Sequence, residues 1–379
     1  MVDGDSVYFY ERPAQYKNAY ILTRLDAATG ALIWRSNRIF YNIINSQPIA
    51  LGDYIYVFLY PNTVCTFEKE TGELSAIAEK GSEEKWLSRS IAAYGDYLYF
   101  GFLVREREGS FVRFNVNDIE HNKNEIVQTV IPEIIWEPET KNSIHSIPAV
   151  DNNIIYTCTY TSTIPDRPIE LAGFDIDTKE MVFYQKFGGI EDVKAGNISY
   201  PDDGGNMGRS PLLIHEGILY YISVSITAWD LKTGEKLYRH VFTNDIPNEK
   251  RYYSAGGLHS VYYNGKIYSM DGNHNDGDGR RNIHCIDAAT GALVWNDISK
   301  LSVTLGTNPV IANGRLYITQ SCGLRVYVPE TGRLIGVDKS FIGNDLDRVV
   351  LYKDLMICLL LDSNSASESW ELVAVDVSK

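Results

Sequence analysis

The chain of 379 residues is 44% hydrophobic and 22% charged, with a formal net charge of −14. That acidity disfavours nucleic acid, because phosphate contacts need clustered Lys and Arg. No apolar run reaches the roughly 20 residues of a membrane-spanning helix, nothing at Met1 reads as a signal peptide, and five cysteines without close spacing argue against a disulfide framework or a CxxC metal site.

In chain order, one decapeptide keeps returning. Residues 25–34 read LDAATGALIW and residues 286–295 read IDAATGALVW. Looser copies are FEKETGELSA at 67–76, FDIDTKEMVF at 174–183, WDLKTGEKLY at 229–238 and YVPETGRLIG at 327–336, with a cut-short AVDVSK at 374–379. An element recurring at such intervals marks an array of like units. Each copy predicts strand, tight turn, strand. Asp26 can accept a hydrogen bond from a backbone N–H two residues on, and Gly30 can take the left-handed backbone of a bulged hairpin turn. Asp287 and Gly291 repeat those roles. The segment after each Gly ends on an indole, Trp34 or Trp295, large enough to cover a neighbouring unit.

This pattern resembles the tryptophan-docking motif of the quinoprotein alcohol dehydrogenase-like (PQQ-like repeat) propellers. The matching positions are Asp26, Thr29, Gly30 and Trp34, then Asp287, Thr290, Gly291 and Trp295. The resemblance implies four-stranded blades around a central channel, and in size and repeat type the chain looks like the non-enzymatic BamB-like branch. Gly72, Gly234 and Gly332 keep the T-G but carry other residues at the Trp position, so weaker docking is expected there. The family's dehydrogenases hold a vicinal Cys pair beside their quinone and a carboxylate base with calcium. No two Cys are adjacent here and no Glu/Asn/Asp set matches, so no catalytic residue, cofactor or metal is assigned.

A second mark precedes each turn: a few apolar residues, a turn pair, then an apolar run ending in Tyr. The copies are SQPIALGDYIY (46–56), RSIAAYGDYLY (89–99), SIPAVDNNIIY (146–156), RSPLLIHEGILY (209–220), LHSVYYNGKIY (258–268) and TNPVIANGRLY (307–317). GDSVY (4–8) keeps half of it, and DRVVLYKDLMI (347–357) is degenerate. The pairs Gly52-Asp53, Gly95-Asp96, Asn264-Gly265 and Asn313-Gly314 are hairpin signals. Tyr at 26 copies also favours strands. The units fall at 1–36, 46–80, 88–138, 144–187, 208–242, 254–298, 306–340 and 345–379. They predict an all-β chain, one domain over 1–379: an eight-bladed β-propeller of four-stranded antiparallel blades, with seven blades as the alternative. The first unit is expected to lack its first strand and the last its fourth.

Long connections at 11–18, 105–109, 160–170, 188–207, 243–253, 271–282 and 362–369 are expected to open on one face, where function tends to lie. The leading residues of each first strand would gather at the channel mouth on that face: Asn45 and Gln47, Arg89, His145, Arg209, His259, Asn308, then Asp347 and Arg348. Arg251 and Tyr252, in the loop EKRYY, carry side chains common as interface anchors. The loop DGNHNDGDG at 271–279 has Asp271, Asn273 and Asn275 in calcium-loop positions. Asp276 stands where Gly is needed and Asn282 where Glu is needed, so a polar loop is the better reading.

Three functions follow from the sequence. The first is a non-enzymatic scaffold, of adaptor, assembly or immunity type, holding a protein partner on the long-loop face as a monomer. The second is a quinone- or metal-dependent oxidoreductase of the same fold. The third is a carbohydrate or small-ligand module at the channel mouth. Buried free thiols point to the cytoplasm; a periplasmic or secreted chain with its signal peptide removed would read the same.

Overall fold

The computed structural model describes every residue except 12–18, 42–47, 60–62, 81–90, 105–107, 124–126, 141–142, 145, 161–167, 188–211, 223–224, 242–259, 271–282, 298–308, 321–322, 340–343, 363–368 and 379. Two compact units divide the chain: Met1–Tyr160 with Asp175–Glu180, and Thr161–Phe174 with Met181–Lys379. Among the described residues there is no α-helix; apart from a 3-10 turn at Val116–Asp118 and the 3-10 residue Lys339, the regular structure is strand.

In the first unit, β1 (Val2–Asp3), β2 (Ser6–Glu11), β3 (Ala19–Asp26) and β4 (Leu32–Tyr41) form an antiparallel sheet in that order. The next repeat is β5 (Ile49–Leu51), β6 (Tyr54–Leu59), β7 (Thr63–Glu68) and β8 (Leu74–Lys80). The third uses β9 (Ile91–Tyr94), β10 (Tyr97–Val104) and β11 (Glu108–Asn115). Its chain then leaves through β12 (Val127–Val130) before β13 (Glu133–Trp136) closes the sheet on β11. The fourth repeat gives this unit β14 (Ser143–Ile144) and β15 (Ala149–Asp151), both paired with β16 (Ile154–Tyr160).

The second unit begins with the hairpin of β17 (Ile169–Asp175) and β18 (Met181–Phe187). Three four-stranded antiparallel sheets follow. They are β19 (Leu212–His215) to β22 (Lys236–Val241) through β20 (Ile218–Ile222) and β21 (Ser225–Asp230); β23 (Ser260–Tyr263) to β26 (Leu293–Asp297) through β24 (Lys266–Met270) and β25 (Ile283–Asp287); and β27 (Val310–Ala312) to β30 (Leu334–Asp338) through β28 (Arg315–Gln320) and β29 (Gly323–Tyr327). The last sheet has three strands, β31 (Asn344–Tyr352), β32 (Leu355–Asp362) and β33 (Ser369–Asp376).

The turn residues explain these hairpins. Asn264 and Gly265 have φ of 47° and 72°, and Asn313 and Gly314 have 48° and 68°. Two consecutive left-handed residues twist the chain to match paired strands, and Asn-Gly tolerates that backbone best. The core lies between facing sheets within each unit. Tyr56, Phe58 and Val64 meet Leu98, Phe100 and Val112 in the first unit. Tyr268, Met270 and Ile283 meet Leu316, Ile318 and Tyr327 in the second. Full burial of side chains this large contributes about 1.5–3 kcal/mol each.

Three expectations need correction. The first repeat does have a first strand, the two-residue β1, which pairs Val2 with Val7 and Asp3 with Ser6. The connection expected to be long at 105–109 is short, since β10 and β11 pair out to Val104 and Glu108. And the long connections do not all leave one end of the strands. In the third repeat the link between β11 and β13, at the tight-turn end, runs through 116–132 and carries β12 onto the edge of β8. The motif fails there because Asn115 occupies the Asp position and no T-G follows to turn the chain at once.

Candidate functional site: docking turns and an edge strap

Each D-x-x-T-G turn is a small hydrogen-bonded cage. Asp26 Oδ1 accepts from Ala28 N at 3.1 Å, Thr29 N at 2.8 Å and Thr29 Oγ1 at 2.7 Å. Asp287 Oδ1 accepts from Thr290 N at 2.9 Å and Thr290 Oγ1 at 2.7 Å. The Thr290 hydroxyl, with the neighbouring backbone N–H groups, holds the Asp287 carboxyl below its ordinary range. The Gly closes the turn with φ of 70° at Gly30 and 73° at Gly291.

The caged turn leaves one carbonyl facing the preceding repeat, that of the residue just after the Asp position. In the first unit Trp34 Nε1 donates to Lys69 O at 2.9 Å, Arg24 Nη1 donates to the same oxygen at 2.6 Å, and Arg113 Nη1 donates to Ile176 O at 2.7 Å. In the second unit Trp295 Nε1 donates to Pro329 O at 2.7 Å and Asn313 Nδ2 to Val377 O at 2.8 Å. Tyr238 Oη and Tyr220 Oη both donate to Ala288 O, at 2.8 and 3.2 Å. The rings also sit flat against the turn glycines, Trp34 on Gly72, Trp295 on Gly332 and Tyr238 on Gly291. Trp34 and Trp295 each rest on the turn of the following repeat, and Tyr238 does the same where Trp is replaced. Arg113 and Asn313 were invisible in the sequence, because the recurring element of the contact is a backbone carbonyl and any suitable donor reaches it.

The strap from the third repeat is the other built feature. β12 runs parallel to β8, with Val127 opposite Ile77 and Val130 opposite Lys80. Ahead of it, Lys123 N donates to Ser75 O at 3.0 Å. The Lys123 ammonium lies 2.8 Å from Glu68 and 3.6 Å from Glu73. His121 stacks on Tyr54 with centroids 3.6 Å apart, and its Nδ1 is 3.0 Å from Ser75 Oγ. Burial pushes the His121 pKa down, against a smaller opposing pull from Glu68.

Of the residues expected at the channel mouth and interface loop, Asn45, Gln47, Arg89, His145, Arg209, Arg251, Tyr252, His259 and Asn308 lie outside the described residues, as does the loop 271–279. Asp347 and Arg348 lie in β31, whose pairing with β32 breaks register between Asp347 and Val349. Among the described residues no group of three or more His, Cys, Asp or Glu could hold a metal ion. Cys65, Cys158, Cys285 and Cys358 are buried free thiols, as expected; Cys322 lies outside the described residues. No helix among the described residues is long and apolar enough to cross a membrane.

The family described as outer membrane protein assembly factor BamB matches residues 205–341. Solved structures match over almost the whole chain. BamB from Moraxella catarrhalis is 12% identical with a TM-score of 0.60, covering 98% of this chain and 97% of that one. The chain has the β-propeller fold. A europium-containing methanol dehydrogenase is 12% identical with a TM-score of 0.65, covering 95% of this propeller and 81% of that chain. Saccharomyces cerevisiae Sqt1 is 11% identical at 0.60, covering 99% and 93%. Among curated proteins none matches. The eight repeats are its eight blades, as the eight sequence units predict.

Proposed function

We propose that this propeller is a non-enzymatic scaffold, one domain over 1–379, that holds a protein partner on the face of its long connections. One observation carries the reading. The assembly-factor family matches residues 205–341 directly, and the match covers 97% of the BamB chain against 81% of the methanol dehydrogenase chain. The antiparallel order supports the choice of face. In each repeat the tight turns between first and second strands leave from one end, and the connections between second and third strands leave from the other. Residues Arg89, His145, Arg209, Arg251, Tyr252, His259, Asn308, Asp347 and Arg348 are the proposed contacts.

Affinity capture from source cells tests this, with wild type set against Arg209→Ala and Arg251→Ala/Tyr252→Ala. The expected result is a specific partner held by wild type and lost or weakened in the variants. A partner retained equally by all of them overturns the choice of face. The dehydrogenase likeness gives the competing reading, and dye-linked alcohol oxidation after adding quinone and calcium separates the two. A flat trace is expected; turnover overturns the scaffold.

A further inference from the structure

The outer strands carry a repeated feature that the scaffold reading does not use. In four repeats the two residues beginning the fourth strand are exposed aliphatics: Leu32 and Ile33, Met181 and Val182, Leu293 and Val294, Leu334 and Ile335. Outer strands with open backbone groups are templates for pairing, and proteins blunt them with cations, prolines or cover. β4 carries Arg35 and Arg38, β18 carries Lys186, and β22 carries Lys236 and Arg239. β8 is covered by β12. β26, LVWND, has neither Lys, Arg nor Pro but follows the neutral Ala292; β30, LIGVD, has none of them either and follows the cation Arg333. Its Leu334, Ile335 and Val337 are 42%, 48% and 38% exposed, and nothing lies within 4 Å of where a Cβ on Gly336 would stand. Among the described residues no strand pairs with its outer edge.

The strap on β8 shows what such an edge accepts. Counting from the turn glycines Gly72 and Gly332, Ser75 corresponds to Ile335 and Ile77 to Val337. The contacts made by the strap, Lys123 N to Ser75 O and Val127 opposite Ile77, thus have ready counterparts at Ile335 O and Val337. One counterpart is reversed in charge. Glu73, beside the Lys123 ammonium, is replaced by the exposed Arg333.

We propose that the outer edge of β30 docks an extended segment of a protein partner, added in parallel as a further strand. Its aliphatic side chains lie against Leu334, Ile335 and Val337, and a carboxylate faces Arg333. Main-chain bonding supplies affinity in this mode and side-chain fit supplies selectivity. The proposal rests on the scaffold reading and names a second contact surface for the same partner class.

The probe is a fluorescent peptide of residues 120–132 with Lys123→Glu, titrated by anisotropy against the whole chain. Wild type is expected to bind saturably, and Ile335→Lys/Val337→Lys at least roughly tenfold more weakly. Val294→Lys on β26 should leave binding unchanged. Arg333→Glu should invert the preference, so that the peptide with its native Lys123 binds better. These positions are exposed, and an unchanged urea midpoint confirms that the variants fold. No saturable binding by wild type up to about 1 mM, equal binding by the Ile335→Lys/Val337→Lys chain, loss with Val294→Lys, or no inversion with Arg333→Glu each overturns the proposal. Partner capture that survives Ile335→Lys/Val337→Lys but fails with Arg251→Ala/Tyr252→Ala refutes the edge and spares the scaffold.

Discussion

Gly332→Ala and Gly30→Ala should differ sharply although the two backbones are nearly identical. Their φ values are 68° and 70°, so the strain of placing Ala in the left-handed region is shared, about 1–2 kcal/mol in each. A Cβ on Gly30 meets nothing within 4 Å. A Cβ on Gly332 would stand 2.5 Å from Cδ2 and 2.6 Å from Cε3 of Trp295, an impossible approach to a rigid ring. The indole must move away, which costs about 1–3 kcal/mol in repacking. Moving it also breaks the 2.7 Å bond to Pro329 O, worth about 0.5–1.5 kcal/mol. Gly332→Ala is therefore expected to cost roughly 2–4 kcal/mol more than Gly30→Ala. Urea midpoints at unchanged slope measure the difference, and indole emission should shift red in the Gly332→Ala chain alone. Equal costs within about 0.5 kcal/mol would refute the docking reasoning.

Three further outcomes are expected. Trp34→Phe keeps a ring on Gly72 and loses only the bond to Lys69 O, costing about 1 kcal/mol, whereas Trp34→Ala should cost about 3–5 kcal/mol; similar urea midpoints for the two would deny the ring its role. The pKa of His121 is lowered from its ordinary 6.5 by burial, so stability contributed by the neutral ring is complete above that value and is lost as pH falls through the depressed one. Amide protection of 127–130, corrected for intrinsic exchange, should drop on acidification and become flat in His121→Gln; a flat profile in wild type would contradict this. Burial pushes the thiols of Cys65, Cys158 and Cys358 up to about 12 and that of Cys285 to about 11, so native protein at pH 8 should resist iodoacetamide at all four, and labelling at the rate of an unfolded control would show that they are accessible.

Much of the fold was legible because it repeats. A T-G turn with its Asp cage is set by local chemistry, and copies of it phase the strands on either side, so blade boundaries could be counted from the sequence. What lay outside that periodicity was missed. β1 is two residues long and carries no pattern. The strap was hidden because Asn115 replaces the motif Asp, and a missing turn does not say where the chain goes instead. Docking by Arg113 and Asn313 left no motif, since their partner is a carbonyl presented by whichever residue follows the turn Asp. The polar residues proposed for the channel mouth came from their place at the head of each first strand, and only Asp347 and Arg348 fall within the described strands.

The most direct test of the scaffold places a photoreactive amino acid in one chain at Tyr252, in a long connection, and in another at Ala289, in a tight turn at the opposite strand end. Irradiation in source cells should give a specific protein adduct from position 252 and none from 289. Adducts from 289 alone, or equal adducts from both, would contradict recognition through the long-connection face.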